Sequence, residues 1–297
     1  MATLRELKGR IGSVASSEKI TGAMKMISSA KMHKAEQALR RQLPFRTQIE
    51  TIIANLLSAD AQFSSPLIEA RDVKHVSIVV LGSDDGLCGA YNVNIFKQLL
   101  ERVQYYRSTY GDNVAIKVIP VGAKMLKATN KIAHATVKVE AVEGINSKTE
   151  ADGVKAFMAQ LQQQFLAGET DLVDVLYMNF QSMSRQRPRF EQILPVVQES
   201  FMPDGEKLAS SRPYLFEPDV NQIFSSVLPL FLLSTMQEIF TENRASEQAA
   251  RVMAMQSAND NAKKLLDQLR LEYNKLRQQS ITPDDCLSFA RILGVTP

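Results

Sequence analysis

Val252, Met255, Asn259, Ala262, Leu266, Leu269, Tyr273 and Leu276 follow one another by alternating steps of three and four residues. That spacing is a heptad seam, the mark of a helix that buries one narrow stripe against another helix. No Gly or Pro falls between Leu230 and Ile281, so the helix predicted there is ~80 Å long at a rise of ~1.5 Å per residue. Pro229 suits its first turn, and a short separate helix is predicted over 219–227. A helix this long needs a partner, and the other end of the chain offers one. From Thr3 to Leu57 the only proline is Pro44, and apolar residues fall at Leu4, Leu7, Ile11 and Val14, then at Ile20, Met24 and Ile27. This spacing is helical too, with a bend expected at Pro44.

Between these stretches the period changes. VKHVSIVVLGS (73–83) is β-branched and apolar and stops at a Gly/Asp cluster, as a buried strand does. Residues 93–108 have helical spacing, 114–122 read as a strand, and 149–166 read as a helix. Residues 172–182 and 190–197 read as two more strands. Strands alternating with helices predict a Rossmann-like α/β domain with a parallel or mixed sheet. The fold class expected is therefore α/β plus coiled coil. Residues 1–60 form an N-terminal coiled-coil helix, 70–205 the α/β domain, and 215–297 a C-terminal coiled-coil helix ending in a short terminal helix. Because the domain lies between them, the two long helices should pair antiparallel.

Charge is uneven along the chain. The 297 residues carry a net charge of only +3, yet residues 1–46 hold ten Lys/Arg against Glu6, Glu18 and Glu36. A segment that basic favours an acidic partner surface. Phe45 is its only aromatic residue, which argues against nucleic-acid binding, since single-strand binders interleave stacking aromatics with their cations. Cys88 and Cys286 are too far apart for a disulfide framework and fit a reducing compartment. The longest apolar run, VLPLFLL (227–233), falls short of a membrane span, and the first residues lack the apolar core of a signal peptide.

Enzyme signatures are missing from the sequence. It has no P-loop, no Gly-x-Gly-x-x-Gly fingerprint after the first strand, no His/Cys metal spacing and no Gly-x-Ser-x-Gly elbow. The nearest candidate is SDDGLCGAYN (83–92), at the strand end where open α/β sheets bind ligands. There Asp84 and Asp85 could meet a cation and Cys88 could act as a nucleophile. The competing reading is a strand-to-helix turn that uses Gly86 and Gly89 for backbone freedom and packs Cys88 as a small apolar group. No catalytic residue, cofactor-binding residue, metal ligand or cofactor is assigned.

Three segments together resemble the gamma subunit of F-type ATP synthases. They are LRELKGRIGSV with KITGAMKMISSAKM (Leu4–Met32), SDDGLCGAYNVNI (Ser83–Ile95), and ENRASEQAARVMAMQSANDNAKKLLDQLRLEYNKLRQQSIT (Glu242–Thr282). The resemblance covers nearly the whole chain in the family's order. It implies a non-catalytic central rotary shaft that couples ion-driven rotation of a membrane ring to ATP synthesis or hydrolysis. The implied partners are the hexamer of alpha and beta subunits, the epsilon subunit and the ring of c subunits, with no nucleic acid and no small-molecule substrate of its own. The implied location is peripheral, on the cytoplasmic face of a bacterial cell membrane. By the same resemblance Met24 and Lys25 face the acidic lever of a beta subunit, and Glu247, Arg251, Arg277, Gln278 and Thr282 match positions that bond to beta-subunit loops.

Two departures stand out. The family's usual SDRGLCG is SDDGLCG here, with Asp85 in place of a positive charge. Thr282-Pro283-Asp284-Asp285 has the form of a helix start, which predicts a kink near Ile281 and a restarted helix over about 283–293. The competing function is an α/β nucleotide- or anion-binding protein whose long helices are a dimerisation arm.

Overall fold

The computed structural model describes residues 3–57, 65–133, 136–197, 217 and 219–292, with the backbone alone over 280–292. In chain order the elements are α1 (Leu4–Leu57), β1 (His75–Leu81), α2 (Tyr91–Tyr110), β2 (Ala115–Val121), α3 (Ala123–Thr129) with a 3-10 turn (Asn130–Ile132), β3 (Val137–Val139), α4 (Ala151–Leu166), β4 (Leu172–Ser182), β5 (Arg185–Leu194) and α5 (Val220–Ile292). The chain divides into two compact units, Met1–Ser28 with Val252–Pro297, and Ser29–Arg251.

In the first unit α1 and α5 run antiparallel. Asn259 Nδ2 donates to the Glu18 carbonyl at 2.7 Å and to Thr21 Oγ1 at 3.3 Å. Further along, Leu265 and Leu269 share a groove with Gly9, Arg10 and Val14. Every seam position predicted on α5 is buried or half-buried. On α1 the seam set by Leu4, Leu7, Ile11 and Val14 continues in strict heptad phase through Glu18, Thr21, Lys25 and Ser28, none of them exposed. Ile20 and Ile27, read from the sequence as its continuation, are 59% and 56% exposed. Hydrophobicity misled there. The phase set by the first four residues outlasts a stretch in which small and polar side chains occupy the seam.

The second unit is a five-stranded sheet of order β3-β2-β1-β4-β5, parallel except for β5, which runs antiparallel to β4. Helices cover both of its faces. Val76, Ile78 and Val80 of β1 face α2 and α3, packing with Ile95, Leu99, Val103 and Met125. Val79 and Leu81 face the other way, onto Val154, Phe157 and Leu161 of α4, Ile49 and Ile53 of α1, and Phe224, Leu228 and Phe231 of α5. This two-sided burial explains the unbroken apolar run in β1. By length and composition the early part of α5 is apolar enough to cross a membrane, but half of that stretch is buried in the protein. β3 and α3 went unread in the sequence because one is three residues long and the other seven.

Pro44, Pro229 and Pro283 all lie inside continuous helices. α1 runs unbroken through Pro44, and α5 is one helix from Val220 to Ile292 that includes Pro229 and Pro283. The separate helix predicted over 219–227, the start at Pro229 and the restart over about 283–293 are therefore corrected. A proline removes one backbone donor and strains one turn, whereas stopping and restarting requires a fresh and unfavourable nucleation.

Candidate functional site

β1 ends at Leu81, and after Gly82 the chain turns through Ser83–Ala90 into α2. Backbones crowd here. A Cβ on Gly82 would lie 2.5 Å from that of Met125, and one on Gly122, held at φ +103°, would lie 2.8 Å from the Ser83 carbonyl. The turn is fastened from within. Ser83 N–H donates to Asn92 Oδ1 at 3.0 Å, Asn92 Nδ2 returns a bond to Ser83 Oγ at 2.7 Å, and Ser83 Oγ–H donates to the Asp85 carbonyl at 2.8 Å. Asp84 Oδ1 accepts the Ala123 N–H at 2.9 Å, and its Oδ2 accepts the Ser147 N–H and Oγ–H at 3.0 and 2.7 Å. Both oxygens of the carboxylate raised as a cation ligand are thus taken by protein donors. Cys88 is buried beside Ser83 and Asn92, as the turn reading expects. Asp85 pairs with Lys148 at 2.9 Å, both side chains largely in water. The Lys148 hydrogen bond holds the Asp85 carboxyl below its usual range, and Asp85 in turn raises the Lys148 ammonium.

The turn is fastened from outside by α5. Asn243 lies fully inside, its Oδ1 accepting from the Tyr91 hydroxyl at 2.6 Å and the Met178 N–H at 3.2 Å, and its Nδ2 donating to the Gly82 carbonyl at 3.4 Å. Immediately before it, Glu242 accepts from Asn179 Nδ2 at 2.8 Å. Arg244 donates to the carbonyls of Ser147 and Thr149 at 3.3 and 2.8 Å. Arg251 donates to the carbonyls of Gly86 and Asp85 at 3.1 and 3.4 Å and pairs with Glu247 at 2.7 Å. Burial pushes the Glu247 carboxyl up, and the Arg251 guanidinium opposes the shift. Burial also raises Tyr91 far above a normal phenol, with the Glu247 charge adding to it. Glu242 is pushed up to about 7, first by burial and then by Glu238 and Glu191, against Asn179 and Arg189.

These contacts tie α5 to β1, β4, the Ser83–Ala90 turn and the loop before α4. They occupy the carboxyl edge of the parallel strands, the place where an open α/β sheet would take a ligand. Chemically the arrangement is a clamp, with hydrogen bonds holding a helix on a sheet edge and one buried ion pair inside that helix fixing Arg251.

The residues singled out from the sequence are scattered. Met24 and Lys25 are half-buried on α1, Lys25 at a seam position. Glu247 and Arg251 are 2% and 5% exposed and turned onto the protein's own turn. Arg277 and Gln278 are exposed on α5. Thr282 lies where only the backbone is described. Glu247 and Arg251 come together, at 2.7 Å. Glu242, Asn243 and Arg244 were missed, although one signal was available: these polar side chains sit on a helix stretch too apolar to be free on every side.

The family profile described as ATP synthase matches residues 3–284. The ATP synthase gamma chain of Bacteroides fragilis is 39% identical over 285 residues, which cover 95% of this chain and 96% of the relative. The chain belongs to the ATP synthase gamma-chain family. The gamma chain of Polynucleobacter asymbioticus is 34% identical over 288 residues, covering 96% of each. Among solved structures, a chain of the Euglena gracilis mitochondrial ATP synthase, OSCP/F1/c-ring, aligns with a TM-score of 0.62 at 19% identity over 98% of this chain and 94% of that one. A chain of the Tetrahymena thermophila mitochondrial ATP synthase central stalk and c-ring aligns at 0.56 and 21% identity over 80% and 99%. The gamma-chain fold is thus two long terminal helices, paired antiparallel, with a mixed-sheet α/β domain between them.

Proposed function

We propose that this chain is the central rotary shaft of a bacterial ATP synthase, coupling ion-driven rotation of a membrane ring of c subunits to ATP synthesis or hydrolysis in a hexamer of alpha and beta subunits. Residues 1–60 and 215–297 serve as the shaft and 70–205 as its base, which also meets the epsilon subunit. The chain is non-catalytic, binds no substrate of its own, and sits peripherally on the cytoplasmic face of the cell membrane. Chemistry belongs to the beta subunits.

The observation that carries this reading is the clamp of Asn243, Arg244 and Arg251 on the sheet edge. A shaft must receive torque without slipping on its base. Buried, geometrically exacting bonds resist slip far better than exposed ion pairs, which contribute about 0–1 kcal/mol each. Contacts with the hexamer must instead break as the shaft turns, and the exposed Arg277 and Gln278, with Thr282, suit that role, as do Met24 and Lys25 against the beta lever. Glu247 and Arg251 are assigned to the base of the shaft, where they hold the Ser83–Ala90 turn.

Affinity purification from native membranes tests the assignment, and alpha and beta subunits are expected with the chain. Recovery without them defeats it. The nucleotide-binding alternative is disfavoured because α5 fills the ligand edge of the sheet. Equilibrium dialysis of the isolated chain with ATP is expected to show no binding.

A further inference from the structure

β5 is an edge strand of the sheet, and it carries Arg185, Arg187 and Arg189 at every second position, all exposed. Alternate residues of a strand share a face and stand ~6.8 Å apart, so the three guanidinium stems form a single file ~14 Å long. Only Arg189 has a carboxylate near it among the described residues, Glu191 at 3.8 Å, and it also feels Glu242. Arg185 and Arg187 have no carboxylate within ion-pair distance among the described residues. The uncompensated charge therefore lies at the hairpin tip, beside the exposed Met183.

An exposed edge strand invites another strand to pair with it. Pro188 sits between two of the arginines and lacks the N–H that such pairing needs. Within sheets proline is tolerated where its nitrogen faces outward. The backbone edge is thereby blunted while the side chains stay available.

We infer that the β4–β5 hairpin is a docking surface for a carboxylate-rich polypeptide segment of a partner subunit, held by Arg185 and Arg187 through paired N–H···O bonds. Arginine's planar fork matches carboxylates in this way, and an extended acidic chain presents side chains on one face at the same two-residue spacing. An anionic lipid surface fits less well. Membrane attachment favours broad basic patches with several apolar anchors, whereas this strip is one residue wide with a single methionine. The inference stands on the hairpin alone and not on the rotary reading.

The test is zero-length carbodiimide coupling in membranes carrying the R187K or R185K chain. Lysine keeps the charge and supplies an amine. Amide formation with a contacting Asp or Glu, the carbodiimide leaving as its urea, marks the partner. Wild-type arginine does not couple. A cross-link from position 185 or 187 to an Asp/Glu-rich segment of another chain is expected, falling at least five-fold between 0.05 and 0.5 M salt as charges are screened. Couplings confined to the same chain, or none, overturn the inference. So does loss of binding to phosphatidylglycerol vesicles by purified R185Q/R187Q chain with cross-linking absent, which would assign the strip to lipid. Recovery of alpha and beta subunits with the lysine variants shows independently that assembly is intact.

Discussion

α5 is held in two ways along its length. Beyond Val252 it touches α1 along a thin seam in which Val252, Met255, Leu266 and Leu269 are buried and Asn259 bridges to the backbone. Before Arg251 it is buried on several sides, with Phe231, Met236 and Phe240 in the core and Asn243, Arg244 and Arg251 bonded to loops. Seam contacts are interchangeable and modest, and the clamp contacts are singular. A helix can therefore be both a base anchored against slip and an arm whose grip is only as deep as one apolar stripe.

The largest effect that would break this contrast is removal of Arg251. Arg251→Ala leaves Glu247 buried and uncompensated, a situation that costs about 3–5 kcal/mol. Denaturant titration of the purified chain, followed by amide exchange in residues 83–92 and 242–251, is expected to report that loss. Adding Glu247→Gln should recover a large part of it. If the double variant is as unstable as the single one, the buried charge is not the cause, and clamp and seam differ less than the geometry implies.

How much of this contrast was legible in the sequence follows from its physics. The seam on α5 was readable because apolar burial repeats with a fixed period, and every seam position from Val252 to Leu276 came out buried or half-buried. On α1 the same signal failed where Glu18, Thr21, Lys25 and Ser28 fill the seam and Ile20 and Ile27 face outward. The parallel strands were readable from their doubly buried composition. The clamp was not, because Asn243 and Arg251 meet residues more than 150 positions away, and no local pattern encodes such a meeting. Their sequence similarity to a family pointed to Glu247 and Arg251 but implied partner contacts, whereas their bonds within this chain run to each other and to the Ser83–Ala90 turn.

On the seam side, Leu269→Ala is expected to cost about 2–3 kcal/mol, near the low end for a buried leucine because the site is shallow. The loss should be local. Amide exchange should quicken in residues 4–14 and 262–276 and leave β1 and β4 unchanged. Quickened exchange in the sheet would show that seam and clamp respond as one.

Glu242 gives the clamp a pH signature. Its folded pKa, about 7, lies above the unfolded carboxylate value, so the folded state holds the extra proton between about pH 4.5 and 7. Stability contributed by this group is present below that window and falls as pH rises through it. Glu242→Gln removes the penalty and keeps a group able to bond. It is expected to stabilise the chain by about 1–3 kcal/mol at pH 8 and by much less at pH 5, read as the difference between denaturation midpoints. A gain independent of pH would place the effect in packing, not in the buried carboxyl.

The smallest effect sharpens the seam side of the comparison. Gly9 and Gly12 lie in α1, and a Cβ at either would meet nothing within 4 Å. Glycine in a helix interior costs about 0.5–1 kcal/mol relative to alanine because the unfolded chain has more freedom to lose. Gly9→Ala and Gly12→Ala are therefore each expected to slow amide exchange over residues 4–16 by up to about five-fold, the equivalent of ~1 kcal/mol. Gly82 and Gly122 supply the counterpart. There a Cβ would enter occupied space at 2.5 and 2.8 Å, and Gly122 holds a positive φ that alanine resists. The same substitution should thus stabilise the arm and disrupt the turn beside the clamp. If Gly9→Ala instead loosens the arm, the empty space beside α1 is being used for close approach by something outside this chain.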